Sequence, residues 1–139
     1  MTLILASLPS SAVEETAPIW LPFVEQIAKR NGEHLDRLIH QIMSDEVQLH
    51  LAWDPGARVA HALAGTRIIL CGDKRRGELI WTTGLARGRW LPLLADLETY
   101  HRDQLGCAGM TAVCRPGWRR DLRAQGYRVT HLIMEKDFA

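Results

Sequence analysis

The sequence predicts an α+β fold in which two N-terminal helices precede a mixed sheet. Apolar residues recur at helical spacing before Ser44 and alternate with a period of two from Val47 onward. In the last third of the chain, helices and short strands follow one another. A strand reached through a helical crossover is expected to run parallel to the strand before it. The predicted order is therefore two helices, an antiparallel meander, and a β-α-β-α-β unit with a parallel central pair.

The composition indicates an ordinary globular chain. Its 139 residues predict one domain, with a helical part over 1–45 and a sheet with two helices over 47–138. A formal net charge of +1, from 17 basic and 16 acidic residues, gives no general attraction to nucleic acid or to an anionic membrane. Three cysteines without a CxxC unit indicate reduced thiols in a cytoplasmic setting. The late first basic residue, Lys29, argues against a secretory signal.

The N-terminal helices are predicted from their caps and apolar stripes. Ser10 followed by acidic residues is typical of a helix start, and Asn31-Gly32 of a helix end. Pro18 and Pro22 favour a break or a late start near Pro18. The second helix carries a stripe of Leu35, Leu38, Ile39 and Ile42.

The strands of the meander are predicted over 47–53, 58–70 and 78–83. The turn Asp54-Pro55-Gly56 joins the first two, because proline presets its own φ and glycine accepts a positive one. A polar loop over 72–77 joins the second and third strands.

The last third is predicted as helix, strand, helix and strand. A crossover helix runs from about Arg89 to Leu105 and ends at Gly106. A short buried strand follows over 108–114, then a helix over 116–125. The last strand is predicted over 127–138.

One segment of this region resembles a known family. Arg115-x-x-Trp118-x-x-Asp121-Leu122-x-x-x-Gly126-Tyr127 is similar to the segment N-x-x-A-x-x-L-Y-x-x-x-G-F of the GNAT acyltransferases, and it keeps the glycine and the aromatic residue after it. Together with the order of elements, the resemblance covers 47–138 and implies a GNAT-like fold.

A narrower resemblance concerns two short motifs. Gln-Leu-x-Leu-Ala-Trp-Asp at 48–54, with Arg115-Pro116-Gly117-Trp118, is similar to GNAT-like proteins carried by tailed bacteriophages and prophages. Some short-tailed phages carry a degenerate GNAT-like protein within the virion. The resemblance therefore implies a non-enzymatic role for a chain of this type.

The family resemblance also implies where acetyl-CoA would bind. GNAT enzymes hold the pyrophosphate with backbone N–H groups at the start of the crossover helix, through R/Q-x-x-G-x-G/A. The best register here is Trp81-Thr82-Thr83-Gly84-Leu85-Ala86, which places tryptophan where a polar donor belongs. The candidate cofactor-binding residues are Gly84, Ala86, Arg87, Gly88 and Arg89. In the alternative interpretation, the two glycines only make a turn and the arginines are solvated.

The transfer step needs a base and often an acid. Leu122 stands at the position of the family's tyrosine acid and cannot give a proton. Glu78 is the candidate catalytic base, and a solvated strand-end carboxylate is the alternative. His50 and His61 lie on adjacent predicted strands and are expected to face each other near the Pro55 turn.

Other polar residues predict less. The six histidines show no metal-binding spacing, so no metal site is predicted. Two basic clusters, 74–76 and the four arginines at 115, 119, 120 and 123, are interpreted as solvated surface, with phosphate or nucleic-acid binding as the alternative.

The sequence thus predicts a GNAT-fold protein of phage type without acetyltransferase activity, acting as an interaction or virion-associated component. The alternatives are an active acyl-CoA-dependent N-acetyltransferase and a small nucleic-acid-associated module. No cofactor is expected, or acetyl-CoA if the chain is active. The expected partners are proteins, among them virion proteins or a second copy in a homo-oligomer, with neither a membrane nor nucleic acid. The expected location is the host cytoplasm or the virion.

Overall fold

The computed structural model describes residues 2–84 and 87–139, which form a five-stranded mixed sheet flanked by helices. The strands lie in chain order across the sheet, and only the last pair is parallel. The strands are β1 (Ile4–Ser7), β2 (Gln48–Asp54), β3 (Val59–Cys71), β4 (Lys74–Gly84) and β5 (Gly109–Ala112). The predicted α+β class, with an antiparallel meander and a parallel pair, is confirmed.

The helices are shorter than the sequence predicts. They are α1 (Ala17–Asn31), α2 (Leu35–Met43), α3 (Arg87–Trp90), α4 (Leu94–Asp103) and α5 (Arg119–Ala124). The predicted helix start at Ser10 is a single 3-10 turn, and α1 begins at Ala17 with Pro18 in its first turn, as the late-start alternative predicted. Gly32 ends α1 in the left-handed conformation, with φ of 66°.

The prediction of one continuous crossover helix was wrong. The segment divides into α3, a 3-10 turn over Leu91–Leu93, and α4. Pro92 lies at the start of the 3-10 turn and has no N–H to offer an α-helical hydrogen bond. The helix therefore starts again after it.

Two strand predictions also differ from the structure. The N-terminal apolar segment forms an unpredicted edge strand, β1, which pairs antiparallel with β2. The predicted last strand over 127–138 was wrong, because these residues form no strand and pair with no neighbour. The sheet consequently ends at β5.

The two faces of the sheet carry separate apolar clusters. The first cluster joins α1 and α2 to β2 and β3, with Trp81 of β4. The second cluster joins Leu79 of β4 to Leu94, Leu97 and Leu122 of α4 and α5. Leu79 and Trp81 belong to opposite clusters because the β3–β4 register shifts there: Thr66 faces Leu79 and Gly65 faces Trp81. Ile80 is thus the extra residue of a β-bulge.

In the parts of the chain that the structure describes, no helix is both long and apolar enough to cross a membrane.

Candidate functional site

The pairing between the parallel strands β4 and β5 ends halfway along β4. They pair from Arg76 to Leu79, and the N–H of Val113 donates the last hydrogen bond to the Leu79 carbonyl at 3.0 Å. Beyond this point β4 continues to Gly84 while β5 has ended. An opening therefore forms beside the bulged residue Ile80, where strand pairing is interrupted.

Two arginines from distant parts of the chain occupy this opening. Arg30 of α1 donates from Nη2 to the Thr82 carbonyl at 2.7 Å. Arg115 donates from Nη2 to the Arg30 carbonyl at 3.3 Å. The Thr82 carbonyl, at the open end of β4, is therefore taken by a side chain of the protein itself. Sequence reasoning missed Arg30 because it lies 52 residues from Thr82.

The glycines predicted to hold a diphosphate have different surroundings. A Cβ at Gly84 would lie 2.4 Å from the Ala62 Cβ and 2.7 Å from the His61 carbonyl oxygen, so glycine permits close contact with β3. A Cβ at Gly88 would meet nothing within 4 Å. Ala86 lies outside the described residues, and Arg89 is exposed on α3.

Arg87 is engaged by the segment that leads into α5. Its Nη1 donates to Asp121 Oδ2 at 3.1 Å and to the Gly117 carbonyl at 3.3 Å. Its guanidinium carbon lies 4.0 Å from the centre of the Trp118 ring, at the distance of a cation–π contact. Trp90 packs on the same ring, with 5.4 Å between centroids. Arg87 thus joins α3 to α5.

The described helix nearest the predicted phosphate site, α3, is short. This helix has four residues, and a 3-10 turn containing Pro92 separates it from α4. A helix dipole arises from several aligned peptide units, and a single turn supplies few of them. Residues 85 and 86, at the turn itself, lie outside the described residues, so the described part of the predicted phosphate site consists of Gly84 and α3.

Glu78, the predicted base, is the more buried partner of a partly exposed ion pair. Its Oε1 accepts from Arg67 Nε at 2.9 Å and Nη2 at 2.7 Å, across the β3–β4 ladder. Its side chain is 11% exposed. Six residues separate Glu78 from Gly84 along β4, which corresponds to about 20 Å of extended strand. The structure does not bring the candidate base and the candidate phosphate site together.

The positions of the expected acid are apolar or tightly packed. Leu122 is 5% exposed and belongs to the second cluster. Tyr127 packs against the same cluster, and burial raises the pKa of its hydroxyl. Tyr127 therefore keeps its proton at neutral pH.

The histidine prediction was wrong about the partner of His50. His50 lies opposite Ala64 in the ladder, whereas His61 falls at the β2–β3 irregularity and lies 4.0 Å from Asp54. The ring of His50 instead lies between Ser7 of β1 and Thr66 of β3, with Nδ1 2.7 Å from Ser7 Oγ and Nε2 2.8 Å from Thr66 Oγ1. Thr66 Oγ1 also lies 3.1 Å from Nε2 of His101 in α4.

The side chains of Ser7, His50, Thr66 and His101 form a buried chain of hydrogen bonds, and the proton positions along it follow from its His101 end. His101 Nδ1 must donate to the Leu97 carbonyl at 2.8 Å, so a neutral His101 accepts at Nε2 from the Thr66 hydroxyl. Thr66 then accepts from His50 Nε2–H, and His50 Nδ1 accepts from the Ser7 hydroxyl. This direction satisfies every group only if both imidazoles are neutral.

Burial keeps both histidines neutral. His50 is 1% exposed, and desolvation, helped by repulsion from His101, lowers its pKa to about 3. Burial also lowers the pKa of His101, against the effect of the Leu97 carbonyl. Both ring nitrogens of each imidazole are hydrogen-bonded, so this chain of hydrogen bonds has a structural role in the core. No local pattern in the sequence indicates this chain.

A small apolar cavity lies between the sheet and α4, bordered by His50 and Thr82. Its volume is about 50 Å³, and most of its lining is aliphatic or tryptophan. Pockets that hold cofactors and drug-sized molecules measure roughly 300–1,000 Å³. The cavity is therefore too small for the arm of a coenzyme.

The two basic clusters of the sequence lie in different places: residues 74–76 lie beside β5, and the other cluster lies at α5. Arg119, Arg120 and Arg123 line an open hollow with Pro116. Arg75 donates to the Leu105 carbonyl, and the Arg76 guanidinium lies over Gly109. Across the described ranges, no three histidine, cysteine or carboxylate side chains come together as a metal site.

Solved structures provide a comparison for this fold. A putative acetyl transferase from Pyrococcus furiosus superposes with a TM-score of 0.72 at 15% identity, covering 99% of this chain and 100% of that one. Glucosamine-6-phosphate N-acetyltransferase from Arabidopsis thaliana gives a TM-score of 0.65 at 14% identity, covering 100% of both chains. A predicted acetyltransferase with acetyl-CoA from Clostridium acetobutylicum gives 0.64 at 10% identity, covering 98% and 96%. No family model and no curated protein matches the sequence.

The chain therefore has the GNAT acetyltransferase fold, as the resemblance in its last third implied. At 10–15% identity these similarities concern the fold alone.

Proposed function

We propose that this chain is a GNAT-fold protein that acts as an interaction component without acyl transfer. The observation that carries the proposal is the engagement of Arg87, the first described residue after the predicted phosphate turn. Asp121 forms an ion pair with Arg87, whose side chain is 41% exposed, and the Gly117 carbonyl and the Trp118 ring contact the same guanidinium. A diphosphate at this turn would have to compete with all three contacts.

The remaining parts of an acyl-CoA site fit the cofactor no better. The opening between β4 and β5 contains Arg30 on the Thr82 carbonyl, and the cavity beside it is about 50 Å³. Glu78 is neutralised by Arg67, and Leu122 has no proton to give to a departing thiolate. These residues support a fold whose binding and transfer groups serve to hold the structure together.

Calorimetry with acetyl-CoA and with CoA tests the proposal. We expect no saturable heat with the wild-type chain. Micromolar binding that is lost in Arg87→Glu and Arg89→Glu would contradict the proposal, and acetyl transfer to an amine by the same protein would then favour the alternative, an active acyl-CoA-dependent N-acetyltransferase. Arg37→Glu, on the exposed side of α2, is the matched charge-reversal control and would retain such binding.

The phage-type motifs at 48–54 and 115–118 support a more specific version, a virion-associated component. Mass spectrometry of purified particles from a phage that encodes the chain tests this version. We expect the chain at a fixed copy number per particle. A chain found only in the cell lysate, and absent from purified particles, would contradict the virion role while leaving the calorimetric result intact.

A further inference from the structure

The C-terminal segment after α5 exposes an unusual amount of apolar surface. Residues 128–139 form no helix or strand. Leu132, Ile133, Met134 and Phe138 are 78%, 81%, 90% and 90% exposed. Four large apolar side chains this close together are costly to leave in water, and such patches mark interaction sites.

The sheet ends at a strand whose outer edge is unpaired. β5 is the last strand in the sheet order, and within residues 2–84 and 87–139 it pairs with β4 alone. Because Val113 donates to Leu79, alternation along the strand directs the backbone groups of Met110 and Ala112 away from β4. An unpaired row of this kind is a template for another strand.

The segment and the edge complement each other. In an extended segment, Leu132, Met134 and Phe138 share one face, and Ile133 lies on the other. The side chains of Met110 and Ala112 pack against the second apolar cluster, and Val113 is 52% exposed. A strand added here would extend the second cluster on one face and cover Val113 on the other.

Charge favours an antiparallel arrangement on β5. Arg76 lies opposite Gly109 at the start of β5, and the backbone carbonyl of Arg75 accepts a hydrogen bond from the N–H of Ala108 one step earlier. An antiparallel segment that places Leu132 beside the middle of β5 directs Glu135 and Asp137 toward these arginines. The other sheet edge, β1, has no charged residue over Ile4–Ser7.

We propose that residues 128–139 of one copy add as a strand to the β5 edge of a second copy, and that the exchange is reciprocal. The single chain leaves its segment and its edge unpaired at the same time, so each copy offers one donor and one acceptor. A reciprocal exchange satisfies both and closes as a two-fold dimer. This inference holds whether or not the chain binds CoA.

Sedimentation velocity of the full chain and of two complementary variants tests the exchange. The donor variant, Leu132→Asp with Met134→Asp, alters only exposed side chains, so its folding is unaffected. The acceptor variant, Ala112→Pro, removes one outward N–H, and proline is tolerated at such edge positions. We expect a wild-type dimer, with the affinity of each variant for itself reduced by at least tenfold.

Mixing the two variants separates strand exchange from other dimers. The donor variant retains an intact edge and the acceptor variant an intact segment, so the mixture forms a heterodimer with one junction. Val59→Asp, at an exposed apolar position on the far end of β3, is the matched control and remains dimeric. Hydrogen exchange at Met110 and Ala112 slows in the dimer and in the mixture.

Three results would overturn the proposal. A monomeric wild type with protected Met110 and Ala112 amides would show that the segment pairs with its own sheet. A monomeric wild type with unprotected amides would show that the edge stays open. A dimer that survives in both variants would place the interface elsewhere, with β1 as the remaining edge.

Discussion

At the scale of single residues, the buried chain from Ser7 through His50 and Thr66 to His101 has the clearest consequence. Its hydrogen bonds are complete only when both imidazoles are neutral. Four elements contribute to it: Ser7 lies in β1, His50 in β2, Thr66 in β3 and His101 in α4. A buried polar network in which every group is satisfied fixes the relative positions of the elements that form it. β1, β2, β3 and α4 are joined in this way.

The two buried histidines of this hydrogen-bond chain should make the stability of the protein depend on pH. His50 has a pKa of about 3 when folded and about 6.5 when unfolded, so between these values the unfolded chain binds more protons. The contribution of His50 to the free energy of unfolding is therefore constant above pH 6.5 and falls below it by about 1.4 kcal/mol per pH unit. Urea denaturation at pH 7.5 and pH 5 should differ by about 2 kcal/mol from His50 alone, with His101 acting in the same direction.

The variant His50→Gln should flatten this slope, because no imidazole at position 50 remains to be protonated on unfolding. His34→Gln, at an exposed histidine, is the control and should keep the wild-type slope. Equal stability of the wild-type chain at pH 7.5 and pH 5 would show that the buried histidines are already charged in the folded state.

A second residue-scale prediction concerns the bulge between β3 and β4. A Cβ at Gly65 would lie 2.6 Å from Trp81 Cε3, so Gly65→Ala must displace a ring that is buried in the first cluster. We expect a loss of about 1–3 kcal/mol, as in other overpacked cores. Gly88→Ala enters open space in α3 and should leave the stability almost unchanged. Equal urea midpoints for the two variants would contradict this packing.

Which residue-level features the sequence could predict depends on how local they are. The alternation at 47–53 correctly places His50 on a strand. The sequence alone also shows that an apolar residue, Leu122, stands at the position of the family's tyrosine acid. The partner of His50 depends on the register shift beyond Ala52 and on α4 packing over the sheet. Arg30 reaches Thr82 only after the sheet and α1 have come together. Neither contact leaves a pattern in neighbouring residues.

At the scale of elements, the ion pair between Arg67 of β3 and Glu78 of β4 gives Glu78 a structural role. Arg67 is 40% exposed on its side chain while Glu78 is 11% exposed, so the carboxylate is the more desolvated partner. Removing the cation leaves a largely buried charge unpaired, whereas neutralising the carboxylate does not. The two partners therefore contribute unequally.

We expect Arg67→Ala to destabilise the chain by about 1–3 kcal/mol, reduced from the range for fully buried pairs because Arg67 is partly solvated. Glu78→Gln should cost less, and the double change to methionine at both positions should be close to neutral. Urea denaturation of the three variants checks this order. A larger loss in Glu78→Gln than in Arg67→Ala would contradict the unequal contributions.

The elements themselves were predictable to different degrees. The β2, β3 and β4 strands and the α2 helix carry strong local periodicity, and the sequence predicts each of them, but β4 begins at Lys74, inside the polar loop predicted over 72–77. The crossover helix was predicted as continuous because its apolar stripe outweighed Pro92, which divides it. The C-terminal residues alternate like a strand, but a strand also needs a neighbour, and pairing is set by register and tertiary context.

At the scale of the whole molecule, the two faces of the sheet differ in how much they bury. The first cluster is the larger among the described residues and includes Val24, Ile27 and Leu38 at 0% exposure. The second cluster is smaller and borders an unpaired edge at β5. Regions with few buried apolar contacts open at lower free energy.

Native-state hydrogen exchange should therefore show two levels of protection. Amides of β2, β3 and α1 should exchange only on global unfolding, while those of α5 and β5 should exchange faster through local opening. The experiment uses a concentration series, because the proposed dimer would add protection to β5 and to residues 128–139. Uniform protection of α1 and α5 would show that the two clusters unfold as one unit.

We propose that this GNAT fold does not bind acetyl-CoA. Backbone-amide NMR during titration with acetyl-CoA measures this most directly, because it reports on Thr82, Gly84 and the amides of α3 individually. We predict that their resonances stay in place up to millimolar acetyl-CoA, with Arg87 still held by Asp121. Saturable shifts confined to these amides would contradict this proposal and would show that the chain binds acetyl-CoA.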